Sequence, residues 1–183
     1  MDVNEEIVEQ YLKIVKRWFC MTDIVYQVPR NWGNIDILAY DPIGKLYYDI
    51  EVKFRSAFKI PLSSFEANTE KDKFIDQITG IERNEKVQEI INTKAKKIFV
   101  TTYQLFGHKA DKRKEMEDKF IGIVELKGYQ CEIWYFDEII PKLFEKTNEK
   151  GRYNTQLMQT IRLIKTYIND DKNPFWPKAD VMG

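Results

Sequence analysis

Two short apolar runs carry acidic residues where a buried strand would normally have none. They are Ile35-Asp36-Ile37-Leu38-Ala39-Tyr40 and Leu46-Tyr47-Tyr48-Asp49-Ile50-Glu51-Val52-Lys53-Phe54. Asp41-Pro42-Ile43-Gly44 between them reads as a tight turn, so the two runs pair as a hairpin. Side chains two apart on a strand point to the same face. Glu51 and Lys53 therefore project together, while Ile50, Val52 and Phe54 face the other way. In the paired hairpin, Asp36 lies beside Glu51. An unpaired carboxylate among apolar neighbours is costly, so two carboxylates and an amine at one point on a sheet need a reason to be there.

The rest of the chain reads as alternating helix and strand. Residues 3–19 repeat Val8, Leu12, Val15 and Phe19 at helical spacing. Residues 23–28 form a strand ended by Pro29, and Asn31-Trp32-Gly33-Asn34 is a turn signal. Ser63 and Glu66 have capping-box spacing ahead of a helical region, which is interrupted near Gly80. Lys97 to Thr102 is a buried strand, and a helix covers 110–119. Ile121–Leu126 and Cys131–Phe136 are two further strands joined at Lys127-Gly128. Pro141 falls near the start of a helix that runs through Lys146. A last amphipathic helix covers 155–168. The expected architecture is α/β, with helices flanking a mixed central sheet, followed by C-terminal strands and helices. The expected division is one domain over 1–170, with its core at 3–102 and an extension at 103–170. An irregular tail follows at 171–183.

Composition excludes several classes. The 183 residues are 43% hydrophobic and 32% charged, which fits neither a disordered chain nor a membrane protein. No apolar run reaches the roughly 20 residues that a bilayer requires, so no membrane association is expected. The acidic start lacks the features of a signal peptide, and Cys20 and Cys131 sit in apolar runs. Both points indicate the cytoplasm, although a disulfide between the two cysteines stays open. The 29 basic and 29 acidic residues cancel, which argues against nucleic-acid binding by net charge alone. Local clusters remain, at Lys94/Lys96/Lys97 and at Lys109/Lys112/Arg113/Lys114.

Paired carboxylates suit a hard divalent cation, and an adjacent amine can orient water or stabilise developing negative charge. The segments Gly33-Asn34-Ile35-Asp36-Ile37-Leu38-Ala39 and Ile50-Glu51-Val52-Lys53 resemble the PD-(D/E)XK nucleases. Their wording is most like the Holliday-junction-resolvase and restriction-endonuclease-like branches. Ile35 stands where that family often has Pro, and fourteen residues separate Asp36 from Glu51. The resemblance covers residues 3–102 and implies a restriction-endonuclease-like core of order αβββαβ. It implies a Mg²⁺-dependent endonuclease acting on DNA, with Mn²⁺ able to substitute. Asp36, Glu51 and the Val52 carbonyl would be metal ligands, and Lys53 the catalytic amine. By the same resemblance, a first-helix glutamate (Glu5, Glu6 or Glu9, with Glu9 favoured) and Gln77 join the catalytic group.

Other residues carry less. Trp32 is the tryptophan nearest the expected site and could stack on a base. Arg55 and Lys59 follow the Glu51 strand and could meet phosphates. His108, the only histidine, reads as a loop residue. There is no Cys/His ligand spacing for zinc and no Gly-rich phosphate loop. The apolar stripe of 155–168 could pack on the domain or form a homodimer. A non-catalytic nucleic-acid-binding or assembly subunit that retains the fold is the competing expectation.

Overall fold

The computed structural model describes residues 2–28, 31–55, 70–148, 150–153 and 155–168. The Ser63–Glu66 capping box, Pro29, Lys59, Trp176 and the 171–183 tail lie outside the described residues. No helix among those described is long and apolar enough to cross a membrane.

Helix α1 (Val3–Tyr11) begins on a reciprocal cap. The Asp2 carboxylate accepts from the Asn4 and Glu5 amides at 2.8 and 2.9 Å, and the Glu5 carboxylate accepts from the Asp2 amide at 3.1 Å. A single π turn, Leu12–Lys16, extends the helix and ends at Arg17 in the left-handed region. A meander follows: β1 (Phe19–Val28), β2 (Asn31–Asp41) and β3 (Leu46–Val52), each antiparallel to the one before. Helices α2 (Glu70–Thr79) and α3 (Ile81–Ile91) then lead to β4 (Lys96–Thr101), which runs parallel to β3. Helices α4 (Tyr103–Phe106) and α5 (Ala110–Leu126) lead to β5 (Cys131–Tyr135), parallel to β4. Helices α6 (Phe136–Lys146) and α7 (Gln156–Ile168) complete the described order. The result is an α/β fold with a five-stranded mixed sheet ordered β1-β2-β3-β4-β5.

Alternation assigns the two faces. Ile37, Ala39, Ile50, Val52, Ile98 and Val100 pack against Val8 and Leu12 of the first helical segment and against Phe136 and Ile139 of α6. On the opposite face Phe99 packs with Phe74, Ile75 and Ile78 of α2 and with Phe120 of α5. Strand β4 is buried on both faces, which explains the apolar run Ile98-Phe99-Val100 at its centre.

Several sequence expectations need correction. Asn31–Asn34 belong to β2 rather than to a turn, because Trp32, Gly33 and Asn34 pair with Gln27, Tyr26 and Val25. A Cβ on Gly33 would sit 2.3 Å from the Tyr26 ring, so the glycine makes room for an aromatic laid across the neighbouring strand. Ile121–Leu126 is the end of α5, not a strand. Its β-rich composition is overridden because Met116, Phe120 and Val124 continue one helical stripe into the core. The Lys127-Gly128 turn is that helix's C-terminal stop, with Gly128 at φ 87° and its amide bonded to the Glu125 carbonyl at 2.8 Å. Only one strand therefore follows β4 among the described residues. Pro141 lies inside α6, not in its first turn. The missing amide is tolerated because Phe136, Ile139 and Leu143 are buried on either side of it.

Cys20 on β1 and Cys131 on β5 are free thiols at opposite edges of the sheet. Four strand spacings of about 4.8 Å separate those edges, far beyond the reach of a disulfide. Burial pushes each thiol up to about 12, so neither is a ready nucleophile. The α7 stripe is partly covered, with Leu163 and Ile164 exposed. Lys165 of α7 donates to the Phe144, Glu145 and Thr147 carbonyls at 3.1, 3.0 and 2.8 Å and so caps the end of α6.

Phe120 is fully buried, stacked on Phe99 and edge-on to Phe106. Phe120→Ala is expected to destabilise the fold by about 3–5 kcal/mol through the cavity it leaves. Urea denaturation followed by circular dichroism measures this, and a loss under about 1 kcal/mol would contradict the packing of α5 on the sheet.

Candidate functional site

The antiparallel ladder between β2 and β3 runs from Asp41↔Leu46 to Ile37↔Ile50. The same register continued one step sets Asp36 across from Glu51. There the strands part. The Val52 amide, which would form the next rung, instead donates to Asp36 Oδ2 at 2.8 Å. A β residue turns its N–H and C=O to the same edge, so the Val52 carbonyl also faces the fork. The fork opens into a cleft of about 1130 Å³ lined by Asp36, Glu51 and Lys53, with Gln77 and Arg83 on the opposite wall.

Asp36, Glu51 and Lys53 converge as strand parity predicts. Lys53 Nζ lies 2.7 Å from Glu51 Oε1 and 3.8 Å from Asp36 Oδ2. Asp36 and Glu51 are 6% and 4% exposed, so solvent reaches them only through the cleft. Burial, then repulsion from Glu51, raises the Asp36 pKa to about 6, against the opposing pull of the Val52 amide, Lys53 and Arg83. Burial would lower Lys53, but Glu51 and Asp36 outweigh it and hold its ammonium above the ordinary lysine value.

Three charged residues of this cluster are not assigned to the site by the sequence: Asp49, Arg83 and Lys97. Asp49 shares the face of Glu51 and Lys53, so an Asp-x-Glu-x-Lys alternation was available to be read. Arg83 Nε donates to both Asp49 oxygens at 3.0 and 3.1 Å, and Arg83 Nη1 pairs with Glu51 Oε2. Lys97, in register with Asp49 on β4, reaches Asp49 Oδ2 at 2.5 Å. Burial would raise Asp49, yet Arg83 and Lys97 outweigh it and hold the carboxyl below its ordinary range. Burial draws Lys97 down despite Asp49; it also opposes the Arg83 charge, but Asp49 and Glu51 outweigh it and keep the guanidinium charged.

The accessory expectations divide. Gln77 is exposed on the cleft wall, and its carbonyl accepts from Arg83 Nη1 at 3.5 Å. Glu9 is a correction. It pairs with Lys13 at 2.7 Å, whereas Glu5 lines the cleft. Helix α1 aims its N-terminus at the fork, and four residues along a helix carry a side chain about 6 Å further away. Trp32 is a second correction. It pairs with Gln27 on the β1–β2 hairpin and stands exposed away from the cleft lining. The Lys94/Lys96/Lys97 cluster is split, since Lys97 is internal. In the other cluster Arg113 lies 3.7 Å over the Tyr103 ring and 3.3 Å from Glu117. The Arg55 guanidinium donates to the Phe54 carbonyl at 3.2 Å, and the exposed His108 pairs with the Gln104 side chain.

No family model matches the chain, and no curated protein matches it. Among solved structures it is similar to the crystal structure of a protein of unknown function, AF1548. Identity is 12% and the TM-score 0.41, covering 87% of this chain and 78% of that one.

Because the folded pKa of Asp36 is raised, the native state holds its proton more tightly than the unfolded chain. Stability is therefore undiminished below the unfolded value of 3.8 and falls as pH rises to about 6. Asp36→Asn, with EDTA present, is expected to add up to about 3 kcal/mol at pH 7 and nothing near pH 3. Denaturant titrations at the two pH values provide the measurement. An equal effect at both would show that Asp36 ionises freely in the folded protein.

Proposed function

We propose that this chain is a divalent-metal phosphodiesterase of the PD-(D/E)XK type that hydrolyses DNA. The observation that carries this reading is the convergence of Asp36, Glu51 and Lys53 on one cleft at a strand fork. The helix–three strands–helices–strand order of residues 3–101 supports it, as does the local wording around both acidic residues.

The donor set fits Mg²⁺. Asp36 Oδ1 accepts no hydrogen bond among the described residues, and burial, then repulsion from Glu51, holds the Asp36 carboxyl above its ordinary range. Among the described residues, Glu51 Oε1 is held only by the exchangeable Lys53 ammonium. The Val52 carbonyl adds a neutral oxygen at the same fork. Two carboxylate oxygens and one carbonyl suit an ion that keeps several waters. When bound, the ion would supply positive charge at a phosphoryl oxygen and lower the pKa of water. Lys53, displaced from Glu51 Oε1, would then orient the attacking water or steady the developing negative charge. Gln77 stands on the opposite wall of the same cleft, and both carboxylates are largely buried.

A second reading has its own observation. Lys53 and Arg83 between them already engage both Glu51 oxygens, so the charges are balanced within the protein. A non-catalytic nucleic-acid-binding or assembly subunit would need no more than that.

Incubation of the purified protein with labelled duplex, single-stranded and junction DNA separates the readings. Cleavage in Mg²⁺ or Mn²⁺, none in EDTA, and loss of cleavage in Asp36→Asn and Glu51→Gln are the expected results. Lys53→Ala should slow single-turnover cleavage by about 10²–10³ while metal binding is kept or tightened, since Glu51 Oε1 is freed. DNA binding without cleavage in any metal would replace the first reading by the second.

A further inference from the structure

The two oxygens of Glu51 are held in different ways. Oε1 meets Lys53, an ammonium on a long flexible stem at the cleft mouth, with its side chain 25% exposed. Oε2 meets Arg83, whose side chain is 7% exposed and cannot swing aside. Its Nε lies 3.0 and 3.1 Å from the two Asp49 oxygens, its Nη2 lies 2.5 Å from Asp49 Oδ1, and that same Nη2 reaches the Ile50 carbonyl at 3.3 Å. Asp49 is anchored in turn by Lys97 from the adjacent strand. Moving the guanidinium would break a fully buried ion pair, which costs about 3–5 kcal/mol when one partner is left alone. Moving the Lys53 ammonium exchanges one partly solvated contact for another.

We infer that Arg83 is a positioning residue that caps Glu51 Oε2 permanently, so Glu51 offers a cation one oxygen and the fork takes a single divalent ion. This rests on the metal reading of the site proposed above and adds to it the denticity of Glu51 and the stoichiometry. A planar fork is required, because one group must hold Asp49 and Glu51 together from α3; a lysine supplies the charge without the fork.

The test is an ion-binding titration in the absence of DNA, using Mn²⁺ by calorimetry and Tb³⁺ by luminescence. The wild type is expected to bind one ion per chain. Arg83→Met removes the cap and strands no buried carboxylate, because Asp49 keeps Lys97 and Glu51 keeps Lys53. It should bind the ion on the order of tenfold more tightly, as Glu51 chelates through both oxygens with one cation fewer beside it, or take up a second ion. Arg83→Lys should shift in the same direction, because it keeps the charge and loses the cap. With cleavage as a second readout, Arg83→Met should lose kcat with little change in KM for DNA. Glu51→Gln is the control and should abolish ion binding. If Glu51→Gln binds like the wild type, the metal reading itself fails. If Glu51→Gln abolishes binding while the Arg83 variants match the wild type in affinity and stoichiometry, the cap is overturned and the metal reading stands. Wild-type behaviour of Arg83→Lys alone would likewise overturn the cap, since charge without the fork would then suffice.

Discussion

The ion cluster centred on Asp49 is the interaction on which the rest of this structure depends. Asp49 is 1% exposed and is held by Arg83 from α3 and by Lys97 from β4. A lone buried carboxylate would cost several kcal/mol, so helix, strand and carboxylate can only be buried together. The cluster fixes where α3 crosses the sheet, and through Arg83 it fixes the Glu51 carboxylate at the fork. Buried ion pairs contribute little net stability compared with apolar packing. What they specify is geometry, and the geometry here is that of a cleft wall.

The sheet serves two purposes on its two faces. On one, Ile50, Val52, Ile98 and Val100 make an apolar layer against α1 and α6. On the other, the same strands carry Asp49, Glu51, Lys97 and Phe99. The period of two lets one strand supply core and site at once, without distorting its backbone. At the fork the backbone departs from regular pairing, and the Val52 amide exchanges a ladder bond for Asp36. That exchange keeps a buried N–H satisfied while opening space between β2 and β3.

Much of this was legible beforehand, for reasons that differ by residue. The convergence of Asp36, Glu51 and Lys53 follows from parity along β3 and from a hairpin whose turn is short. The strand Ile121–Leu126 was misread because its residues favour strands locally, while the stripe that makes it helical begins at Met116, outside the apolar run. The choice of Glu9 over Glu5 failed because helical periodicity sets a face but not which end of the helix meets the site. Arg83 sits in Ile81-Glu82-Arg83-Asn84-Glu85, a stretch indistinguishable by composition from a solvated helix face.

The sequence by itself determined which side chains share a strand face, which runs are apolar enough to be buried, and that two carboxylates and an amine meet at one hairpin. These are consequences of local backbone geometry, which repeats every two or 3.6 residues whatever surrounds it. Only the tertiary structure decided which cation neutralises which carboxylate, that α5 continues as helix to Leu126, and that the N-terminus of α1 faces the fork. A buried charge takes its partner from whichever element packs over it. That packing is set by chain segments far apart in sequence, so no local pattern could record that Arg83 belongs to Asp49 and Glu51.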